Sequence, residues 1–105
     1  MVQVKWTRRA RTDLDGISTY VAQGSPFYAE RLEKDIFQRS LILEQHPRIG
    51  HPVAEVNDPT VRELRFGDYR IIYWLASEDD ISILAVVHSQ RILHKGLITG
   101  RRTKH

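Results

Sequence analysis

Two apolar stripes at helical spacing, separated by a two-residue break, constrain this chain more than any other feature. Ala10, Leu14, Ile17 and Val21 follow one another at intervals of four, three and four. That spacing puts them on one face of a helix. Thr7 stands where a hydroxyl can accept from a first-turn N–H, so the helix is predicted to begin there and run to about Ala22. Gly24 ends it, because glycine tolerates the left-handed backbone of a helix terminus. Ser25-Pro26 then supplies a cap and a first-turn proline whose missing N–H is not needed. Ala29, Leu32, Ile36 and Leu43, with Ser40 in the same row, mark the second face, widened by Phe37 and Leu41 and stopped by Pro47 and Gly50. Two helices so close in sequence must fold back on each other as an αα-hairpin.

The flanks have a different period. Residues 2–6 alternate apolar and polar as a half-buried strand does. After a loop over residues 48–60, rich in proline, asparagine and glycine, three strand patterns follow at Val61–Phe66, 69–76 and 81–88. Gly67-Asp68 and the polar stretch 77–80 join them by short turns, which predicts an antiparallel meander. In the middle strand, Tyr69, Ile71, Tyr73 and Leu75 lie on one side and Arg70, Ile72 and Trp74 on the other. In the last, strict alternation sets Ile81, Ile83, Ala85 and Val87 against Ser82, Leu84, Val86 and His88. The expected fold is α+β: an N-terminal strand, the αα-hairpin, then a three-stranded antiparallel meander. The helices pack on one sheet face and the other meets water or a partner.

At 105 residues the chain fits one domain. Its boundary is expected at residues 1–95, with residues 96–105 a basic, mobile C-terminal tail. There is no cysteine, so disulfides, thiolate metal sites and thiol nucleophiles are excluded. No signal peptide or membrane-spanning run is recognised, and a cytoplasmic location is expected. Residues 1–11 carry Lys5, Arg8, Arg9 and Arg11 and no acid. Residues 91–105 carry five basic groups and no acid, leaving seven of the sixteen basic groups and all thirteen acids between. Basic ends on an acidic body suit nucleic acid or an acidic protein partner, or are simply solvated.

No motif specifies chemistry by itself. The histidines at 46, 51, 88, 94 and 105 lack metal-ligand spacing, and neither metal nor cofactor is expected. The candidate site is a basic set near the sheet. Arg62, Arg65 and Arg70 lie on consecutive strands, and His88 and Arg91 lie at the end of the last. Arg70 interrupts an apolar strand, so it must find a partner or face water. One reading pairs it with Glu63 or Asp68 and makes it structural. The other gives Arg62, Arg65, Arg70 and Arg91 to a phosphate backbone or a phosphorane, with His88 as acid or base. Tyr69, Tyr73 and Trp74 have strand spacing, which favours core packing over base stacking.

Four stretches resemble the RelE/ParE toxins of type II toxin–antitoxin systems. VKWTRRARTDLDGISTYVAQGSP is similar to their opening strand and first helix, and LEQHPRIGHPV to the end of their second. VRELRFGDYRIIYW and ILAVVHSQRIL are similar to their two most characteristic segments. Together these span residues 2 to about 93. The resemblance implies the α+β layout above and a cognate antitoxin protein, through which alone the toxin would meet operator DNA. RelE-like members cleave messenger RNA on the ribosome, whereas ParE-like members inhibit DNA gyrase. Arg70 and Arg91 match RelE-type catalytic arginines. A RelE-type lysine falls near Glu63 and a RelE-type tyrosine at Leu97, and neither residue can replace its counterpart.

The resemblance therefore favours a ParE-like gyrase inhibitor. The alternatives are a ribosome-dependent ribonuclease using Arg70, Arg91 and His88, and a non-toxic module that binds only its antitoxin. Target contacts are assigned to Arg62, Arg65, Lys95, Arg101 and Arg102, and antitoxin contacts to the region of Leu14, Ile17, Leu32 and Ile36.

Overall fold

A computed structural model describes residues 2–102, the Lys95 side chain excepted. The chain opens with β1 (Gln3–Trp6), continues through α1 (Arg8–Ala22) and α2 (Pro26–Ser40), and tightens into a 3-10 turn over Leu41–Glu44. The short β2 (His51–Pro52) follows, then β3 (Val61–Phe66), β4 (Tyr69–Leu75), β5 (Asp80–His88) and a short α3 (Lys95–Thr99). Both expected helix caps form. Thr7 accepts from Ala10 N–H at 3.1 Å and Ser25 from Tyr28 N–H at 3.2 Å. Thr7 also donates to Ile83 C=O at 2.9 Å, so the cap of α1 fixes that helix to β5.

The sheet has five strands in the order β1-β5-β4-β3-β2. The meander of β3, β4 and β5 is antiparallel, as the short turns require. Gly67, with φ +55°, makes the first of those turns, where a side chain would be strained. The hairpin carries the chain away from β1, which pairs in parallel with β5 over Gln3↔Asp80 to Trp6↔Ile83. β1 and β2 are the sheet edges.

The helices cover one face. Ala10, Leu14, Leu32, Ile36 and Leu43 pack on Leu64, Ile71, Tyr73, Ile81 and Ile83. Trp6 Nε1 donates to the buried Ser40 hydroxyl at 3.1 Å, tying β1 to the end of α2. Three expectations need correction. The strict alternation of β5 fails, because a β-bulge shifts its pairing from Ile72↔Ala85 to Tyr73↔Ile83. Leu84 is the extra residue, so Leu84 and Ala85 both face away from the helices while Val86 joins Ile81 and Ile83 beneath them.

The second sheet face is not open either. Val53 and Val56 from the loop, and Leu93 and Ile98 from the C-terminal segment, close a second core on Val61, Ile72, Leu84 and Val87. Ile98 has no exposed surface. The expected tail at residues 96–105 is therefore packed through residue 102, because Ile98 has an apolar sheet face to cover. Residues 103–105 lie outside the described residues. Ile98→Ala should lower the unfolding free energy by about 2–5 kcal/mol in urea titrations, as a buried isoleucine does. A free tail would change it by no more than about 0.5 kcal/mol.

Candidate functional site

β3 and β4 place Arg65 opposite Arg70 and Glu63 opposite Ile72, on the sheet face away from the helices. Arg70 is buried, with 5% of its side chain exposed. A guanidinium has five N–H donors, and all five are engaged. Nε and Nη2 donate to the two oxygens of Glu63, each at 3.0 Å. Nη1 and Nη2 donate to the two oxygens of Glu55, each at 3.0 Å. The remaining Nη1 donor reaches Arg91 C=O at 3.2 Å. Hydrogen bonding to Arg70, against a weaker opposing effect of burial, holds the Glu55 carboxyl down at about 2. The same carboxylates raise Arg70 above its ordinary value. Of the two partners expected for Arg70, Glu63 is found. Asp68 is not; its C=O accepts from Ser89 N–H instead.

The other sequence-flagged cations divide between structural use and exposure. Arg62 donates twice to Gly50 C=O, at 3.0 and 2.7 Å, and pins the chain entering β2. Gly50 must be glycine there, since a Cβ would collide with Glu63 C=O and the Tyr73 hydroxyl. Arg65 is mostly exposed, with Nε 3.4 Å from Glu63. Arg101 pairs with Asp13 at 2.7 Å and donates to Leu84 C=O at 3.1 Å. Arg102 pairs with Asp58 and lies over the Trp74 ring. Asp58 sits below the ordinary carboxylate range, chiefly because the Thr60 hydroxyl and N–H donate to it. The Lys95 side chain lies outside the described residues.

His88 and Arg91 are exposed. His88 Nδ1 accepts from Gln90 N–H at 3.2 Å, and its ring stands edge-on to Tyr69. That contact puts His88 on the helix side of the sheet, whereas Arg70 lies on the opposite side. The three residues proposed for acid–base and phosphate chemistry are thus not gathered around one point. Arg91 has no side-chain partner among the described residues.

Leu14, Leu32 and Ile36, assigned to antitoxin contact, are buried between helices and sheet, and Ile17 is half-buried beside them. They hold the helix pair down, and Leu14 also reaches the surface groove beside β1. What the helix pair does present is an open groove of about 910 Å³ along β1, with Val4, Trp6, Leu14 and Phe37 inside and Lys5, Arg11, Glu30 and Glu33 around it. Tyr20, Phe27 and Tyr28 are exposed near the turn of the hairpin. Among the described residues no cluster of three or more histidine and acidic side chains could hold a metal. No described helix is long and apolar enough to cross a membrane.

A family model described as the ParE toxin of the type II toxin–antitoxin system parDE matches residues 4–93. The chain belongs to the ParE toxin family. It is 29% identical over 92 residues to Toxin RelE2 of Caulobacter vibrioides, covering 88% of this chain and all of that protein. The fold is similar to a chromosomal ParDE toxin–antitoxin system from P. aeruginosa, with TM-score 0.69 and 28% identity over 86% of this chain and 98% of that one. It is also similar to the toxin–antitoxin complex RelBE2 from Mycobacterium tuberculosis, with TM-score 0.62 and 26% identity over 83% and 96%. The expected α+β fold and toxin family are both found. The relatives carry both ParE and RelE names.

In this ParE-family toxin, sequence reasoning missed Glu55, Asp13 and Asp58. Each lies far along the chain from the arginine it meets. The one local sign for Glu55 was a lone acid between Val53 and Val56. Its ionisation near pH 2, against an ordinary 4.5, fixes an acid dependence. A carboxyl depressed in the fold stabilises it fully above its unfolded value, and that contribution falls away as pH drops from about 4.5 toward 2. Urea unfolding of the wild type should weaken between pH 6 and pH 3. Glu55→Gln should be less stable at pH 6 and lose less on acidification. An equal loss in both proteins would mean that Glu55 is not held by Arg70.

Proposed function

We propose that this toxin is neutralised by a cognate antitoxin and arrests growth by binding a protein target, DNA gyrase, without cutting RNA. The observation that carries this reading is the saturation of Arg70. Five hydrogen bonds and two carboxylates leave its guanidinium no donor for a phosphate. Glu63, where the ribonuclease resemblance calls for a lysine, would repel a phosphate. Leu97, where it calls for a tyrosine, has no proton to give. The antitoxin would lie along the groove beside β1, whose outer edge offers unpaired backbone groups to an added strand. Both the antitoxin and gyrase would be met in the cytoplasm, and operator DNA only through the antitoxin.

Purified toxin is expected to block gyrase supercoiling and to leave messenger RNA intact in a translating extract. The competing ribonuclease reading draws on exposed Arg91 beside His88, and it predicts the opposite pair of results. Normal growth on expression without antitoxin would instead point to a module that only binds its antitoxin.

A further inference from the structure

We propose that Arg70 and Glu55 form a clasp that positions the segment after β5, presenting Arg91 and Ile92 outward as a contact element for the toxin's protein target. The effect on the target rests on the reading above; the clasp itself does not.

The segment leaves the sheet at His88 and must cross from the end of β5 to the second core, where Leu93 and Ile98 are buried. Over residues 91–93 it pairs with no strand, yet two of its backbone polar groups are met by side chains. Arg91 C=O accepts from Arg70 Nη1 at 3.2 Å, and Leu93 N–H donates to Glu55 Oε2 at 3.2 Å. An extended strand offers the C=O of one residue and the N–H of the residue two further on to the same neighbour. Here the neighbour is a pair of side chains. Arg70 supplies the donor and Glu55 the acceptor, and they bond each other through two contacts of 3.0 Å. Glu63 holds Arg70 from the other side, so the clasp is anchored in β3 and β4.

The far end of the segment is held separately, by Arg101 on Asp13 and Arg102 on Asp58. Inside the clasp, between the bonded Arg91 C=O and Leu93 N–H, stands Ile92, with 80% of its surface exposed, beside Arg91, whose side chain is unpaired among the described residues. An isoleucine and an arginine on a backbone fixed at both ends are preorganised. Binding then loses little freedom at that point. An apolar side chain next to an unpaired arginine suits a protein surface with an apolar pocket and an acidic rim. A phosphate backbone would call for a row of cations, and Arg62, Arg70, Arg101 and Arg102 are already occupied. Arg70 is in this account a positioning residue, acting through the segment it holds.

The test compares wild type with Glu55→Ala, Arg70→Met and Ile92→Ala in three measurements: amide hydrogen exchange, growth arrest on induction, and affinity for the cognate antitoxin. Glu55→Ala leaves Arg70 paired with Glu63, so the sheet persists even if Arg70→Met fails to fold. Glu55→Ala should speed exchange at residues 93–101 by about tenfold or more, with α1 and β1 unchanged. Ile92→Ala should leave exchange as in the wild type. Both should weaken growth arrest while antitoxin affinity stays within about twofold, as for a site apart from the antitoxin groove. Unchanged exchange at 93–101 in Glu55→Ala would overturn the clasp. Full growth arrest by both Glu55→Ala and Ile92→Ala would overturn the contact role. Growth arrest is read whatever the target, so a wild type that arrests cells without affecting gyrase would refute the gyrase assignment and leave these outcomes decisive.

Discussion

A guanidinium set into a sheet that is covered on both faces must be neutralised and fully hydrogen-bonded, and much of this structure follows from how that is done. Arg70 stands on β4 beside Ile71 and Ile72, both fully buried. One carboxylate would balance its charge but could not occupy five donors. Two carboxylates and a carbonyl do, and the surplus negative charge is offset by Arg65 at the exposed rim, 3.4 Å from Glu63. The cluster spans loop, β3, β4 and the C-terminal segment in one set of contacts. Removing Arg70 would leave its two carboxylates uncompensated, which typically costs about 3–5 kcal/mol for a buried pair.

The same solution appears a second time, on β5. β1 pairs with β5 only as far as Ile83. Just beyond, Leu84 C=O is met by Arg101 and Val86 N–H by Asp13, at 3.1 Å each. Arg101 and Asp13 are themselves paired, so a charged couple stands where a strand would otherwise continue. This couple links α1, which covers one sheet face, to the C-terminal segment, which covers the other. The bulge at Leu84 is what lets β5 serve both cores, since it turns Leu84 and Ala85 to one side and Val86 to the other. Helix pair and C-terminal segment are therefore joined through the edge of one irregular strand.

The sequence was legible wherever the signal was local. Thr7, Ser25-Pro26 and Gly67-Asp68 act within a few residues of themselves, and each cap or turn formed as its chemistry required. It was illegible where both faces of a strand are apolar. β5 is buried from Ile81 to Val87, so alternation carries no information about which residue faces where, and a bulge leaves no mark. The parallel pairing of β1 with β5 spans most of the chain and has no local trace. At the candidate site, an arginine in an apolar strand announced that it needed a partner, and Glu63 across the hairpin was within reach of reasoning. Glu55 was not, because a loop residue fifteen positions away is brought in only by Val53 and Val56 packing on the second sheet face. The packing of residues 96–102 was hidden for the same reason, since Ile98 answers to a core that no local pattern revealed.

The choice between a nuclease and a binding toxin cannot come from the fold, because relatives at nearly the same distance bear both names. It turns on what the strand arginine is free to do. For Arg70 to reach a phosphate in bidentate fashion, at least two bonds to carboxylates would have to break, each contributing about 1.5–3 kcal/mol. The phosphate would then have to approach past Glu55 and Glu63, both acting against a negative ligand. An arginine held this way has all five donors committed to the fold. Its carboxylate partners leave Glu55 poised to hold Leu93 N–H, so what the site preserves is the path of the chain leaving β5. The residues that path exposes, Arg91 and Ile92, have side chains with no structural partner of their own among the described residues, which is the condition under which a surface is available for binding.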